Sequence, residues 1–206
     1  IHTFLLKHAS IEGKYELIRM NEINNKNIEQ INKSYYGYNI TIPYKEKILE
    51  VCEEAHLDVH VKKIGSVNTV KNKDGVTSFY NTDYLGFLNF LEIINFNPEG
   101  RKIMILGSGG SSKSINYALN LVKGEATIIS RTNNEEAISY QDLNERANEV
   151  EVIINTTPIG MPPYENETLD INVENFNNLE LVTILVMGQI IIFLLFLMTK
   201  SKNLTV

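Results

Sequence analysis

The chain has 206 residues, 43% of them hydrophobic and 21% charged, the make-up of an ordinary globular protein of one large domain or two small ones. The 19 Lys and Arg against 25 Asp and Glu leave a net charge of −6 without a basic block, so nucleic acid is not an expected partner. A single cysteine, Cys52, excludes an internal disulfide and fits a reducing, cytoplasmic setting, and the opening Ile1-His2-Thr3, with neither Met nor a basic leader, reads as the start of a fragment.

From the N-terminus, residues 2–11 suit a helix ending near Gly13. Tyr15-Glu-Leu-Ile reads as a short strand, and Tyr38-Asn-Ile-Thr-Ile as another that stops at Pro43. Lys45 to Ala55 places Ile48, Leu49 and Cys52 at helical spacing, which puts Cys52 in the core. Ser66-Val-Asn-Thr-Val and Thr77-Ser-Phe-Tyr flank Asn72-Lys-Asp-Gly75, a hairpin signal. Asp83 to Phe96 has Leu85, Leu88, Phe90, Leu91 and Ile94 on one side and reads as a connecting helix. His56 and His60 are four apart but lack a third ligand, so no metal is expected.

Beyond Pro98-Glu-Gly100 the pattern changes. Lys102-Ile-Met-Ile-Leu is apolar enough for a strand buried on both faces. A Gly/Ser run and a helix over about 112–122 follow, then a strand at Ala126-Thr-Ile-Ile-Ser. A helix over 135–148 and a strand at Val150-Glu-Val-Ile-Ile complete the order β-α-β-α-β, a mononucleotide-binding half-fold. In the loop Gly107-Ser-Gly-Gly-Ser-Ser112, Gly107 allows the tight turn and Gly109 leaves room for a pyrophosphate. The N–H groups of the helix start then face the phosphates, which makes Gly107, Ser108, Gly109, Gly110 and Ser111 candidate cofactor ligands. Ser112 stands where the strict pattern asks for Gly or Ala. The second strand ends in Ser130-Arg131-Thr132 and not in an acidic residue. Arg131 can pair with a 2′-phosphate, so NADP is favoured over NAD, with Thr132 beside it.

Four stretches now stand in order: Gly37-Tyr-Asn-Ile-Thr-Ile-Pro-Tyr-Lys45, Ile64-Gly-Ser-Val-Asn-Thr69, Tyr80-Asn-Thr-Asp83 and Asn155-Thr-Thr-Pro-Ile-Gly-Met161. Together they strongly resemble the shikimate dehydrogenase family, from residue 1 to about Val182. The resemblance implies an α/β fold: an N-terminal substrate domain over 1–82, then an incomplete Rossmann-like NADP-binding domain over 83–182. It implies reduction of 3-dehydroshikimate to shikimate with NADPH, on the route to chorismate and aromatic amino acids. Lys45 and Asp83 would be the catalytic pair, Thr41 and Asn68 would bind the substrate's hydroxyls, and Thr156 and Met161 would lie in the loop beside the nicotinamide. The chemistry suits these residue types, because taking a hydride from a carbinol carbon requires losing the hydroxyl proton to a group within hydrogen-bond reach. Taken singly, Lys45 is a surface lysine opening a helix and Asp83 a helix N-cap.

The chain departs from the family pattern at both ends. The family's first strand and its Ser-x-Ser-Pro stretch, whose serines bind the substrate carboxylate, should end just before His2. Near the NADP site the family tends to have Asn where Ser130 stands, and a basic residue where Asn133-Asn-Glu135 follows. After Val182 the family's next strand, turn and Gln-bearing helix are not recognisable. In their place Leu181 to Thr199, LVTILVMGQIIIFLLFLMT, has no charge in 19 positions and the length of a membrane span. Lys200 and Lys202 follow it, which would put the enzyme on the wrong side of a membrane for NADPH, so a membrane partner is not expected and a frameshift near Thr183 is favoured. The expectation is a family enzyme whose present fragment is inactive. The alternatives are a quinate/shikimate dehydrogenase with relaxed cofactor use, a non-catalytic remnant and a membrane-tethered protein.

Overall fold

The structure, a computed structural model, describes residues 2–131 and 137–184. Two sheets organise it. The first is built from β1 (Gly37–Asn39), β2 (His56–Leu57), β3 (Thr69–Lys73) and β4 (Val76–Tyr80) in the order β1-β3-β4-β2. Strands β3 and β4 form the expected hairpin, with Lys73 paired to Val76. The two loop residues, Asp74 and Gly75, have φ of 53° and 79°. Positive φ at both positions is the turn whose twist matches that of the flanking strands, and Asp-Gly is a preferred pair for it. Helices α1 (His2–His8), α2 (Asn25–Ser34), α3 (Lys47–Val51) and α4 (Val59–Ile64) accompany this sheet. α2 is largely polar, yet Ile28 and Ile31 three apart face the core, and Asn24 caps it by exchanging hydrogen bonds with Asn27. Ile28, Ile48, Val61, Val67, Val70 and Phe79 make the first core.

The second sheet contains β5 (Ile103–Leu106), β6 (Ala126–Ile129), β7 (Ala137–Ile138), β8 (Val152–Asn155) and β9 (Leu181–Ile184), all parallel, in the order β7-β6-β5-β8-β9. Strand alternation divides its residues between two cores. Ile103, Ile105, Val152 and Ile154 face α5 (Asp83–Ile93) and α6 (Gly110–Leu121), with Phe87, Phe90 and Leu119. Met104, Leu106 and Ile153 face the other way, with Leu143 of α7 (Tyr140–Glu145) and Val150. Cover on both faces explains the unbroken apolar run of β5, whose residues are all buried. Glu151 fastens the start of β8. Its carboxylate accepts from the Lys102 N–H at 2.8 Å and from Arg101 Nη1 at 2.9 Å, and these two donors hold it below the ordinary glutamate range.

Several elements differ from the sequence expectations. Tyr15-Glu-Leu-Ile18 forms no strand; Tyr15, Leu17 and Ile18 are exposed there. Among the 135–148 residues, β7 and then α7 replace a single helix, because Ser139 caps α7 by trading hydrogen bonds with Asp142 and so sets a later start. On α5 the buried face runs through Tyr84, Phe87, Phe90 and Leu91, and Leu85 is exposed. Cys52 is only half-buried at the end of α3 against the first core, and burial pushes its thiol up. Thr183 and Ile184, assigned from sequence to the divergent tail, continue β9 in register with Ile154 and Asn155 of β8. The rest of the apolar segment, and Thr132, lie outside the described residues. Among the described residues no helix is long and apolar enough to cross a membrane.

Candidate active site

Three of the four sequence motifs meet around Lys45, Asn68 and Asp83. Lys45 enters from the turn before α3 and is 4% exposed. Its backbone carbonyl accepts from the Val67 N–H at 2.7 Å, which ties this turn to the Ser66–Asn68 segment. Asp83 opens α5 as its first residue; Thr82, and not Asp83, holds the capping position. Lys45 Nζ lies 2.7 Å from Asp83 Oδ2. Asn68 Nδ2 donates to Asp83 Oδ1 at 2.7 Å and to Thr82 Oγ1 at 3.0 Å, and Asn68 Oδ1 accepts from the Thr82 N–H at 2.9 Å. Asn68, assigned from sequence to the substrate, thus spends its amide on holding the Asp83 carboxylate. Removing one partner of such a pair strands the other charge, at a cost of about 3–5 kcal/mol.

Asn81 joins the motif segments from below. It is 3% exposed, and its Nδ2 donates to the Ser66 carbonyl and to Ser114 Oγ, both at 2.9 Å. Its Oδ1 accepts from the Asp83 N–H at 3.0 Å. One amide therefore links the first lobe, the start of α5 and α6. Sequence reasoning gives Asn81 no role, although it sits inside a quoted motif; a buried amide two residues before Asp83 is a signal only once burial is known.

The glycine loop joins β5 to α6. Gly107 has φ of 105°, and a Cβ there would stand 2.8 Å from Thr156 Oγ1, which itself donates to the Leu106 carbonyl at 2.7 Å. A Cβ at Gly109 would meet nothing within 4 Å, the open side that an approaching phosphate needs. Gly110 has a different reason to be glycine. Its Cβ would fall 2.3 Å from Ser66 Oγ and 3.1 Å from Lys45 Cβ, so the loop presses on the first lobe. Gly110→Ala is expected to destabilise the fold by about 1–3 kcal/mol through overpacking. Adding Ser66→Gly should recover part of that loss, which thermal unfolding of the single and double variants measures. Ser112, at the sixth position, is fully buried, and its hydroxyl has no hydrogen-bond partner among the described residues.

A cleft of about 860 Å³ runs from Lys45 along Gly107–Ser111 and Thr156 to Ser130, Arg131 and Tyr140. Burial raises the Tyr140 phenol above its ordinary value, and the Arg131 charge opposes that shift. Gly107, Ser108, Gly109, Gly110, Ser111, Arg131 and Thr156 thus share one cleft. Met161 does not line it, and Thr41 lines a separate, mostly apolar groove of about 470 Å³ beside β1. His60, set beside His56 in the sequence, stacks on Tyr84 with its Nδ1 2.9 Å from Tyr117 Oη. The donor set fits a phosphorylated dinucleotide: an open glycine turn, the first-turn N–H groups of a 12-residue helix and a guanidinium at the far end.

The fold and cleft define a two-part α/β protein, with a smaller mixed sheet ahead of a Rossmann-like parallel one. Residues 1–70 match the model of the shikimate dehydrogenase substrate binding domain. The chain is 36% identical over 181 residues to the NADP(+) shikimate dehydrogenase of Clostridium perfringens, covering 81% of this chain and 65% of the relative. It is 34% identical over 184 residues to that of Staphylococcus epidermidis, covering 82% and 68%. Among solved structures it resembles a chorismate mutase/shikimate 5-dehydrogenase fusion protein from Clostridium acetobutylicum, with a TM-score of 0.77, 27% identity, and 90% and 70% of the two chains covered. It also resembles the Thermus thermophilus shikimate 5-dehydrogenase in complex with NADP(H) and shikimate, with a TM-score of 0.74, 25% identity, and 89% and 71% covered. The chain belongs to the shikimate dehydrogenase family. It spans about two thirds of the length of the curated relatives it matches.

Proposed function

We propose that the full-length protein is an NADP-dependent shikimate dehydrogenase, interconverting shikimate and 3-dehydroshikimate. The observation that carries this reading is the buried Lys45–Asp83 pair, whose lysine lines a cleft that runs along the glycine loop to Arg131. Bound nicotinamide supplies the hydride acceptor or donor. The residues of the chain do the rest. Lys45 presents an N–H to the hydroxyl oxygen and stabilises negative charge as it develops there. Asp83 keeps the ammonium aimed, and Asn68 keeps Asp83 aimed. As Lys45 Nζ takes the hydroxyl proton it hands one of its own to Asp83 Oδ2, 2.7 Å away, so that the pair as a whole gains one proton. The glycine loop and Arg131 fix the dinucleotide, so that hydride transfer proceeds between prepositioned partners.

The cofactor half of the reading rests on Arg131. In Arg131→Ala, NADPH binding should weaken by about tenfold to a hundredfold, the range of a hydrogen bond to a charged group, with NADH binding much less affected. Calorimetric titration with each dinucleotide measures both. Equal losses would show that Arg131 does not read the 2′-phosphate. Absence of shikimate-dependent reduction of NADP(+) in the full-length protein would refute the dehydrogenase reading itself.

A further inference from the structure

The Lys45 ammonium has three N–H donors and, among the described residues, two acceptors. One is Asp83 Oδ2 at 2.7 Å; the other is Ser111 Oγ at 3.1 Å. Ser111 lies in the first turn of α6, 66 residues away along the chain, so this bond joins the two lobes. The same turn touches the lysine again. Gly110 packs so closely that its Cβ would stand 3.1 Å from Lys45 Cβ. Two residues further on, Lys113 Nζ pairs with Glu46 Oε2 at 2.5 Å. Consecutive residues of the Lys45 segment are therefore hooked to one helical turn at both the stem and the head.

A four-carbon stem leaves an ammonium considerable rotational freedom. One acceptor fixes the distance of Nζ from Asp83 but leaves its remaining N–H groups free to turn about that axis. A second fixed acceptor sets where the third N–H points. We propose that Ser111 is a positioning residue for Lys45, aiming its third N–H into the cleft and coupling the glycine loop to the Lys45–Asp83 pair. Its hydroxyl keeps a proton to donate toward the cleft, so one side chain serves the lysine as acceptor and the phosphate site as donor. The catalytic half of this inference rests on the dehydrogenase reading; the contact itself does not.

The test uses Ser111→Ala and Ser111→Thr in the full-length protein. Ser111→Ala should lower kcat on the order of tenfold, the scale of one hydrogen bond to a charged group, with the shikimate KM little changed. Ser111→Thr keeps the hydroxyl and should recover most of the loss. A purely packing role predicts no such rescue, since Thr changes the volume more than Ala does. Independently of turnover, a double-mutant cycle of Lys45→Met with Ser111→Ala, read by thermal unfolding, should be non-additive. An additive cycle overturns the inference, as does a kcat unmoved by Ser111→Ala or a loss that Thr does not relieve. A non-additive cycle in a protein without dehydrogenase activity would uphold the tie between loop and lysine and reject the dehydrogenase reading.

Discussion

Replacing Lys45 or Asp83 with alanine in the full-length protein is expected to lower kcat by about 10²–10⁴-fold, the range of positioned acid–base help. The double variant should be little worse than the worse single one, because groups that act as a unit are not additive. The structure adds a complication that a residue list does not contain. Lys45 is almost fully buried, so its loss strands the Asp83 carboxylate against Asn68, and stability falls along with turnover. Lys45→Met and Asp83→Asn keep the shape and separate the two effects. Each should unfold near the temperature of its alanine counterpart or above it, and still turn over no faster. Near-normal turnover in either would remove that residue from the chemistry.

The second large effect lies away from the cleft. Phe79 is fully buried in β4, between Leu57 on β2 and Val70 on β3, and its carbonyl accepts the Asp58 N–H at the start of α4. Phe79→Ala should destabilise the protein by about 3–5 kcal/mol, a large share of a typical domain's stability. Denaturant unfolding measures it. The loss should reach the site, since Asn68 takes its position from a bond between its own N–H and the carbonyl of Tyr80, next to Phe79. Substrate turnover should therefore fall at temperatures where the native variant still unfolds cooperatively, and a variant as stable as the parent would contradict the burial described for Phe79.

What the sequence makes legible, and what it hides, follows from distance along the chain. Strand β5 is plain because burial on two faces writes itself as an apolar run, and the β3–β4 turn is plain because two successive positive-φ positions call for Asp-Gly. Tyr15-Glu-Leu-Ile18 misleads because strand-forming residues make a strand only beside a partner, and none is described there. The family resemblance sets Lys45 and Asp83 side by side, but their contact spans 38 residues and no local pattern encodes it. Asn68 acts behind the pair, Gly110 is fixed by a neighbour in the other lobe, and Ser111 reaches across to Lys45. The last two roles depend on contacts between the two lobes.

Asn81 has a mechanical consequence. It joins the lobes by short, directed bonds that weaken steeply when stretched yet survive modest bending. A joint of that kind resists sliding and permits turning. Together with the Lys45–Ser111 and Lys113–Glu46 contacts, it pins the two lobes to each other at the Lys45 end of the cleft. The aim of the ammonium is therefore set where the lobes are tied to each other.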